Sequence, residues 1–377
     1  MAARLKAVGG FVPRTVFEVS PSITRSYFLG HHAGALTSMR KVLSNINLIL
    51  ECRDSRVPLT SANPLLESAL AGRSRIVVYT KADLCAPASA NRWIDKQKEL
   101  LTKFHSGSLG IVAEEEEREE GGYGGTEVLF TDAGSPRSIK KLIDAVRERA
   151  VASESLTGLR ALVVGMPNAG KSSLLNALRA EGMQLPKAAR TGAQPGITRK
   201  LGTAVRIMAE DTAAGLEGGV FVLDTPGVFV PYVTDVEAML KLSLVGCVKD
   251  GLVPAETVAD YLLFRLNLRD PEMYGELSAP TNDIREFLDN VAVRTGKLLK
   301  GGVPSQEQAA DWIVQQWRKG NLGRFGLDDV SEESLAALRA KALAGGEQHL
   351  SMNQARKREK EARKARNAAK RQGMEAS

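Results

Sequence analysis

The sequence predicts an α/β fold: a mostly parallel sheet flanked by helices, followed by a small all-helical domain and a basic tail. Three observations predict it. Strand-length apolar runs alternate with helical patterns from residue 46 to residue 223. One Gly-rich stretch follows such a run and opens a helix. Beyond about residue 231 the strand pattern stops and only helical periodicity continues.

Taken in order, residues 46–50 and 75–80 are apolar runs of strand length. Between them and the next strand, Trp93, Ile94, Leu100, Leu101 and Phe104 fall on one helical face. Residues 128–130 form a short strand, and Ser135-Pro136 then opens a helix with a cap and a first-turn proline. Ile139, Leu142, Ile143 and Val146 give that helix its buried stripe. Residues 159–164 form a further strand, followed by the Gly-rich stretch and a helix carrying Leu174, Leu175 and Leu178. Residues 220–223 are another buried strand. Val258, Tyr261, Leu262 and Leu266 share one helix face in the all-helical part. Ser305 to Gln308 has capping-box spacing before Ala310, Ile313, Val314 and Trp317, with Gly320 as the stop.

The domains expected are an N-terminal extension (1–27), a nucleotide-binding domain (28–230), a helical domain (231–345) and a tail (346–377). Residues 106–125 interrupt the α/β pattern with six Glu and one Arg between Gly-rich flanks, and read as a solvated surface insertion. Residues 351–377 hold nine Lys/Arg against three Glu, a balance of +6 that leaves +1 of the net +7 for the rest of the chain. Such a tail suits an anionic partner, or is a solvated helix with no fixed partner. Arg4, Lys6, Arg14 and Arg25 with the single acid Glu18 make the extension compatible with a mitochondrial presequence, and with a plain extension. No apolar run approaches the roughly 20 residues of a membrane-spanning helix. The scattered Cys52, Cys85 and Cys247 and four histidines offer no zinc spacing and fit a reducing compartment.

Gly165-Met-Pro-Asn168-Ala169-Gly170-Lys171-Ser172 satisfies G-x-x-x-x-G-K-[ST] in the strand-to-helix context that the motif requires. Its backbone amides are expected to close around phosphate oxygens, with Ser173 in the same first helical turn. Lys171 should reach the β- and γ-phosphates and Ser172 should ligate Mg²⁺. Asp224-Thr-Pro-Gly227 ends a strand, so Asp224 can hold the metal through water while the Gly227 amide senses the γ-phosphate. Thr198, between those motifs, is the candidate switch threonine completing the metal shell. Thr80-Lys81-Ala-Asp83 follows a strand: Asp83 can accept the guanine ring N–H and exocyclic amine protons, and adenine offers no matching donor pair. Thr80 stands where Asn is commoner, which is expected to weaken the contacts supporting this loop. Asp132 and Ala133, in Thr131-Asp-Ala, form a second candidate base-side loop.

The motif order is permuted. The base-reading loop precedes the phosphate loop, and the Asp224 motif comes last, directly before the helical domain. With Asp54-Ser-Arg56-Val-Pro58 upstream, this order resembles the circularly permuted P-loop GTPases, in the branch of bacterial large-subunit assembly GTPases and mitochondrial ribosome-associated GTPases. Tyr27-Phe-Leu-Gly30-His31 looks like that branch's opening motif, with Leu29 in place of proline. The segments beginning at Leu244, Ala259 and Gly320 look like its C-terminal domain.

The resemblance implies a monomeric GTP-hydrolysing assembly factor in the mitochondrial matrix. Its partners would be the large mitoribosomal subunit and its rRNA, with the peripheral inner membrane as a further contact. It implies slow intrinsic turnover, stimulated on the ribosome. Val228 follows Gly227 where many GTPases have a water-positioning glutamine, and the resemblance points to His31 as the substitute. It also matches Asn168 to the asparagine of K⁺-stimulated relatives, with a purely structural asparagine as the alternative. Two other classes stay open: a nucleotide-dependent RNA-binding placeholder with incidental hydrolysis, and a membrane-surface regulator using the tail.

Overall fold

The computed structural model describes residues 10–19, 23, 30–70, 72–87, 89–105, 126–189, 192, 201–230, 233, 235–343, 357, 360 and 361 of the 377. The acidic insertion, Thr198 and nearly all of the basic tail lie outside the described residues.

Six strands form one sheet: β1 (Leu48–Asp54), β2 (Arg75–Thr80), β3 (Thr126–Phe130), β4 (Leu159–Gly165), β5 (Val205–Met208) and β6 (Val220–Asp224), in the order β3-β2-β1-β4-β6-β5. All neighbours are parallel except β5, which runs antiparallel to β6 at the edge. Helices α1 (Gly30–Val42), α2 (Pro64–Ala69), α3 (Ala82–Cys85), α4 (Asn91–His105), α5 (Pro136–Ala152) and α6 (Lys171–Met183) accompany it. The strands are apolar on both faces because both are covered. Leu48, Leu50, Ile76, Val78 and Val163 pack with α5 and α6, whereas Ile49, Leu162 and Val164 pack with Met39 of α1 and Leu66 of α2. The parallel direction brings the ends of β1, β2, β4 and β6 to one edge. Asp54 is in register with Thr80, Cys52 with Gly165, and Val163 with Asp224. A crevice at that edge is where open α/β sheets bind ligands.

From α7 (Val236–Leu244) onward the described chain is helical: α8 (Ala255–Arg269), α9 (Ile284–Thr295), α10 (Gln306–Arg318) and α11 (Glu332–Leu343). Asp235 and Asp283 cap α7 and α9 by accepting from amides of their first turns. Val258, Tyr261, Leu262, Leu263 and Leu266 bury α8 nearly all round, each worth roughly 2 kcal/mol of transfer free energy. The helical core also takes in Val57, Met166 and Phe229 from the sheet region and Ile23 from the N-terminal extension, so the two regions share one apolar cluster. Of that extension, the described part packs on helices: Arg14 pairs with Asp260 at 2.5 Å and Phe17 lies edge-on to Tyr261. Among the described residues no helix is long and apolar enough to cross a membrane. All three cysteines are free and buried.

Two local expectations are corrected. Trp93 does not join the buried stripe of α4 and is 39% exposed, while Leu100 and Leu101 carry the packing. Ser135 and Ser305 sit at N-cap positions without a side-chain cap bond; Pro136 at the first turn already removes one free amide in α5.

Candidate functional site

The phosphate loop leaves β4 with a constrained backbone. Gly165 has φ +145°, and a Cβ there would lie 2.3 Å from the Cys52 carbonyl oxygen, so only glycine lets the loop leave against β1. Ala169 is buried, Asn168 holds a positive φ of 55°, and Gly170 turns the chain into α6. Lys171 is buried and donates to the Met166 carbonyl at 2.7 Å and the Gly165 carbonyl at 3.3 Å. Burial pulls its ammonium below the ordinary lysine range, and Asp224 opposes that pull. Ser172 Oγ donates to Asp224 Oδ2 at 2.6 Å, while Ser173 is exposed on the same turn.

The Asp224 motif is locked onto the loop. Thr225 donates to the Val163 carbonyl at 2.7 Å, and the Val228 amide donates to the Gly165 carbonyl at 3.1 Å. A Cβ on Gly227 would stand 2.6 Å from Pro167 Cα, so the two loops touch backbone to backbone. The Val228 side chain is buried with Ile49, Leu162 and Val164, facing the core under α1. The hydroxyl and carboxylate oxygens at Ser172 and Asp224 are hard donors that fit Mg²⁺. Among the described residues no group of three or more His, Cys, Asp or Glu forms a separate metal site.

The loops that begin at Thr80 and Thr131 meet at the end of β2, where the Ala82 amide donates to the Thr131 carbonyl at 3.0 Å. Thr80 Oγ1 donates to the Ala169 carbonyl at 2.8 Å, so the threonine ties this loop directly to the phosphate loop. Lys81, at φ 56°, donates to Asp54 Oδ2 and to the Asn168 carbonyl, both at 2.8 Å. Asp83 is half-buried, and burial with the nearby Asp132 charge pushes its carboxyl up; Arg324 and Arg56 oppose the shift. Asp132 accepts from the Gly134 amide at 2.8 Å and is braced by Ser138, with Ala133 exposed beside it.

Residues 160–291 match the family described as 50S ribosome-binding GTPase. Mitochondrial GTPase 1 of Schizosaccharomyces japonicus is 38% identical over 82% of this chain and 91% of its own length. Mitochondrial ribosome-associated GTPase 1 of Xenopus tropicalis is 31% identical over 84% of this chain and 98% of its own. The chain belongs to the mitochondrial GTPase 1 family. Ribosome biogenesis GTPase A of Priestia megaterium is 29% identical over 82% of this chain and 98% of its own. Among solved structures, the GNP-bound YlqF from T. maritima aligns over 79% of this chain and 99% of its own at 22% identity and a TM-score of 0.46.

In this GTPase the sheet edge brings together Thr80, Lys81, Asp83, Asp132, the phosphate loop, Asp224 and Gly227. His31 lies in the first turn of α1, its side chain outside the described residues, as is Thr198. No local residue pattern signals three contacts that tie the site to the helical region. Asn168 Nδ2 donates to the Gly246 carbonyl at 2.7 Å. The Arg56 guanidinium lies 4.9 Å over the Trp317 ring. The Leu327 amide donates to the Arg56 carbonyl at 2.7 Å. Asp54 organises the joint: wholly buried, it accepts from Arg56 Nε at 2.9 Å, Arg56 Nη2 at 2.8 Å and Lys81. Burial alone would raise its carboxyl; the Arg56 and Lys81 charges overturn that and hold it well below the carboxylate range.

Proposed function

We propose that this GTPase is an assembly factor of the mitochondrial large ribosomal subunit, acting in the matrix, whose nucleotide state sets the placement of its helical region. The relatives' names support a ribosomal and mitochondrial setting. The observation that carries the reading is the bond from Asn168, inside the phosphate loop, to the Gly246 carbonyl just beyond α7. Nucleotide chemistry and helical-region docking share that residue. Phe229, just beyond the motif that runs from Asp224 to Gly227, is buried in the helical core and gives the Asp224 segment a second connection.

In this reading Lys171 and the loop amides would hold the β- and γ-phosphates, Ser172 and Thr198 would ligate Mg²⁺, and Asp224 would hold it through water. When bound, Mg²⁺ supplies charge neutralisation on the phosphate oxygens during in-line attack by water. Asp83, with Asp132 and Ala133 alongside, reads guanine, and Lys81 lays its stem along the base. Val228 is turned into the core and cannot orient water, and the family resemblance gives that role to His31 of α1. Asn168 is also the residue through which K⁺ would stimulate turnover.

Residues 235–343 carry thirteen Lys/Arg against seventeen Asp/Glu, a net charge of −4, so rRNA contact there must be local. The turn after α9 is such a place. It exposes Lys300 beside Leu298, Leu299 and Val303, and is braced by the Leu299 amide on the Val303 carbonyl and the Ser305 amide on the Lys297 carbonyl. Co-sedimentation of the full chain with purified mitochondrial large subunits, in a GTP analogue and in GDP, tests the reading. Nucleotide-dependent association with large subunits, reduced by Lys297→Glu with Lys300→Glu, is expected. Equal association with small subunits, or association only with anionic vesicles, would replace it with the RNA-placeholder or membrane-surface reading.

A further inference from the structure

The base-reading loop is not made by the sheet region alone. Helix α3, which begins just before Asp83, is four residues long and fully buries only Cys85. Its outer side is met by the loop that follows α10. Gly320, at φ +82°, comes so close that a Cβ there would lie 2.8 Å from Leu84 Cδ2 and 3.4 Å from Arg324 Nε. Arg324 therefore lies beside the short helix that carries Asp83, although it belongs to the helical region. Its loop is anchored independently: the Gly320 amide bonds the Trp317 carbonyl at 2.9 Å, and Trp317 stacks under Arg56. A little further on, the Leu327 amide returns to the Arg56 carbonyl.

The charges that face Asp83 come from three elements. Asp132, on the loop after β3, and burial both favour the neutral carboxyl; Arg324 and Arg56 favour the carboxylate. Guanine recognition needs the carboxylate, because only an acceptor at both oxygens can take the ring N–H and the amine together. Arg56 is already committed to Asp54 through two side-chain bonds. Arg324 is exposed and makes no ion pair within 4 Å among the described residues, and it lies beside Gly320, which seats on Leu84 of the same short helix as Asp83.

We propose that the helical region completes the guanine site. Arg324 acts as a specificity-positioning residue that keeps Asp83 an acceptor, and the seat of Gly320 on Leu84 makes nucleotide release depend on docking of the helical region. A large-subunit surface that shifts the helical region would then loosen the base loop directly and accelerate release of guanine nucleotide. This rests on the assignment of Asp83 as the base reader.

The test is stopped-flow release of N-methylanthraniloyl-GDP from the full chain between pH 5.5 and 8, for wild type, Arg324→Ala and Arg324→Lys. Arg324→Ala is expected to move the acid-induced acceleration of release up by about half a pH unit, which speeds release about threefold on the acid limb. Arg324→Lys should restore most of both, which lost packing alone would not do. Arg324 is exposed, so the substitution leaves the core intact. Release within twofold of wild type at every pH would overturn the proposal. Asp83→Asn serves as the separate control, because an amide matches the C2 oxygen of xanthine. Failure of that variant to exchange guanine for xanthine preference would sink the base-reader assignment itself.

Discussion

Replacing Asp54 with asparagine perturbs the joint between the nucleotide site and the helical region at its most buried point. The side chain is 0% exposed and holds Arg56 by two bonds and Lys81 by a third. Asparagine keeps the shape but removes the charge and one acceptor. Arg56, at 2% exposure, then remains buried without its counter-charge, whereas Lys81 at 27% can turn to water. Removing one partner of a buried pair costs about 3–5 kcal/mol, and the relaxation of Lys81 puts the expected loss at the lower end, about 3 kcal/mol. With an unfolding entropy of about 2 cal/mol/K per residue, that corresponds to a melting-temperature drop of about 4 °C by calorimetry or fluorescence. The pH dependence has a definite sign. The folded carboxyl is held below its unfolded value, so its contribution is complete above about pH 4 and is lost progressively as pH falls below that. The gap between wild type and Asp54→Asn should therefore stay flat from pH 8 to pH 5. The double variant Asp54→Asn with Arg56→Met should recover part of the loss, since no charge is then stranded. A melting temperature within 1 °C of wild type, or a gap that varies between pH 8 and 5, would refute the reasoning.

Three further outcomes rest on the same geometry. Gly227→Ala places a methyl 2.6 Å from Pro167 backbone atoms, so GTP turnover should fall at least tenfold while GDP binding is largely kept, measured by phosphate release and nucleotide titration. Val228→Gln buries an amide among Ile49, Leu162 and Val164, costing roughly 2–3 kcal/mol by denaturant midpoint with no gain in turnover. His105 is pushed down to about 2 by burial and by the Arg53 and Arg75 charges, so the folded chain keeps it neutral while the unfolded chain protonates it below about 6.5. Stability should thus fall as pH drops from 6.5, by up to about 2 kcal/mol at pH 5, and His105→Phe should flatten that slope.

Much of the sheet was readable because both of its faces are covered, so β2 and β6 appear as unbroken apolar runs. The first strand, legible only over residues 46–50, runs on to Asp54, since Glu51 and Arg53 break the apolar pattern while satisfying each other at 2.7 Å. Edge strand β5 is four residues long and offers no run to detect. The loops at Gly165, Thr80 and Asp224 stood out in the sequence because their motifs fix residue types at fixed spacing, and the structure gathers all three at one sheet edge. The contacts of Asn168 with Gly246 and of Arg56 with Trp317 were not: each joins residues 78 or more positions apart whose types obey no local rule. Thr80 shows the same limit, since its bond to Ala169 depends on how close Gly170 brings the two loops.

The most direct measurement is GTP turnover by the full chain, alone and with purified mitochondrial large subunits, in K⁺ and in Na⁺. At least tenfold stimulation by large subunits, faster in K⁺ and abolished by Lys171→Ala, is the expected result. Tight GTP binding with no stimulation by any ribosomal subunit would contradict the account.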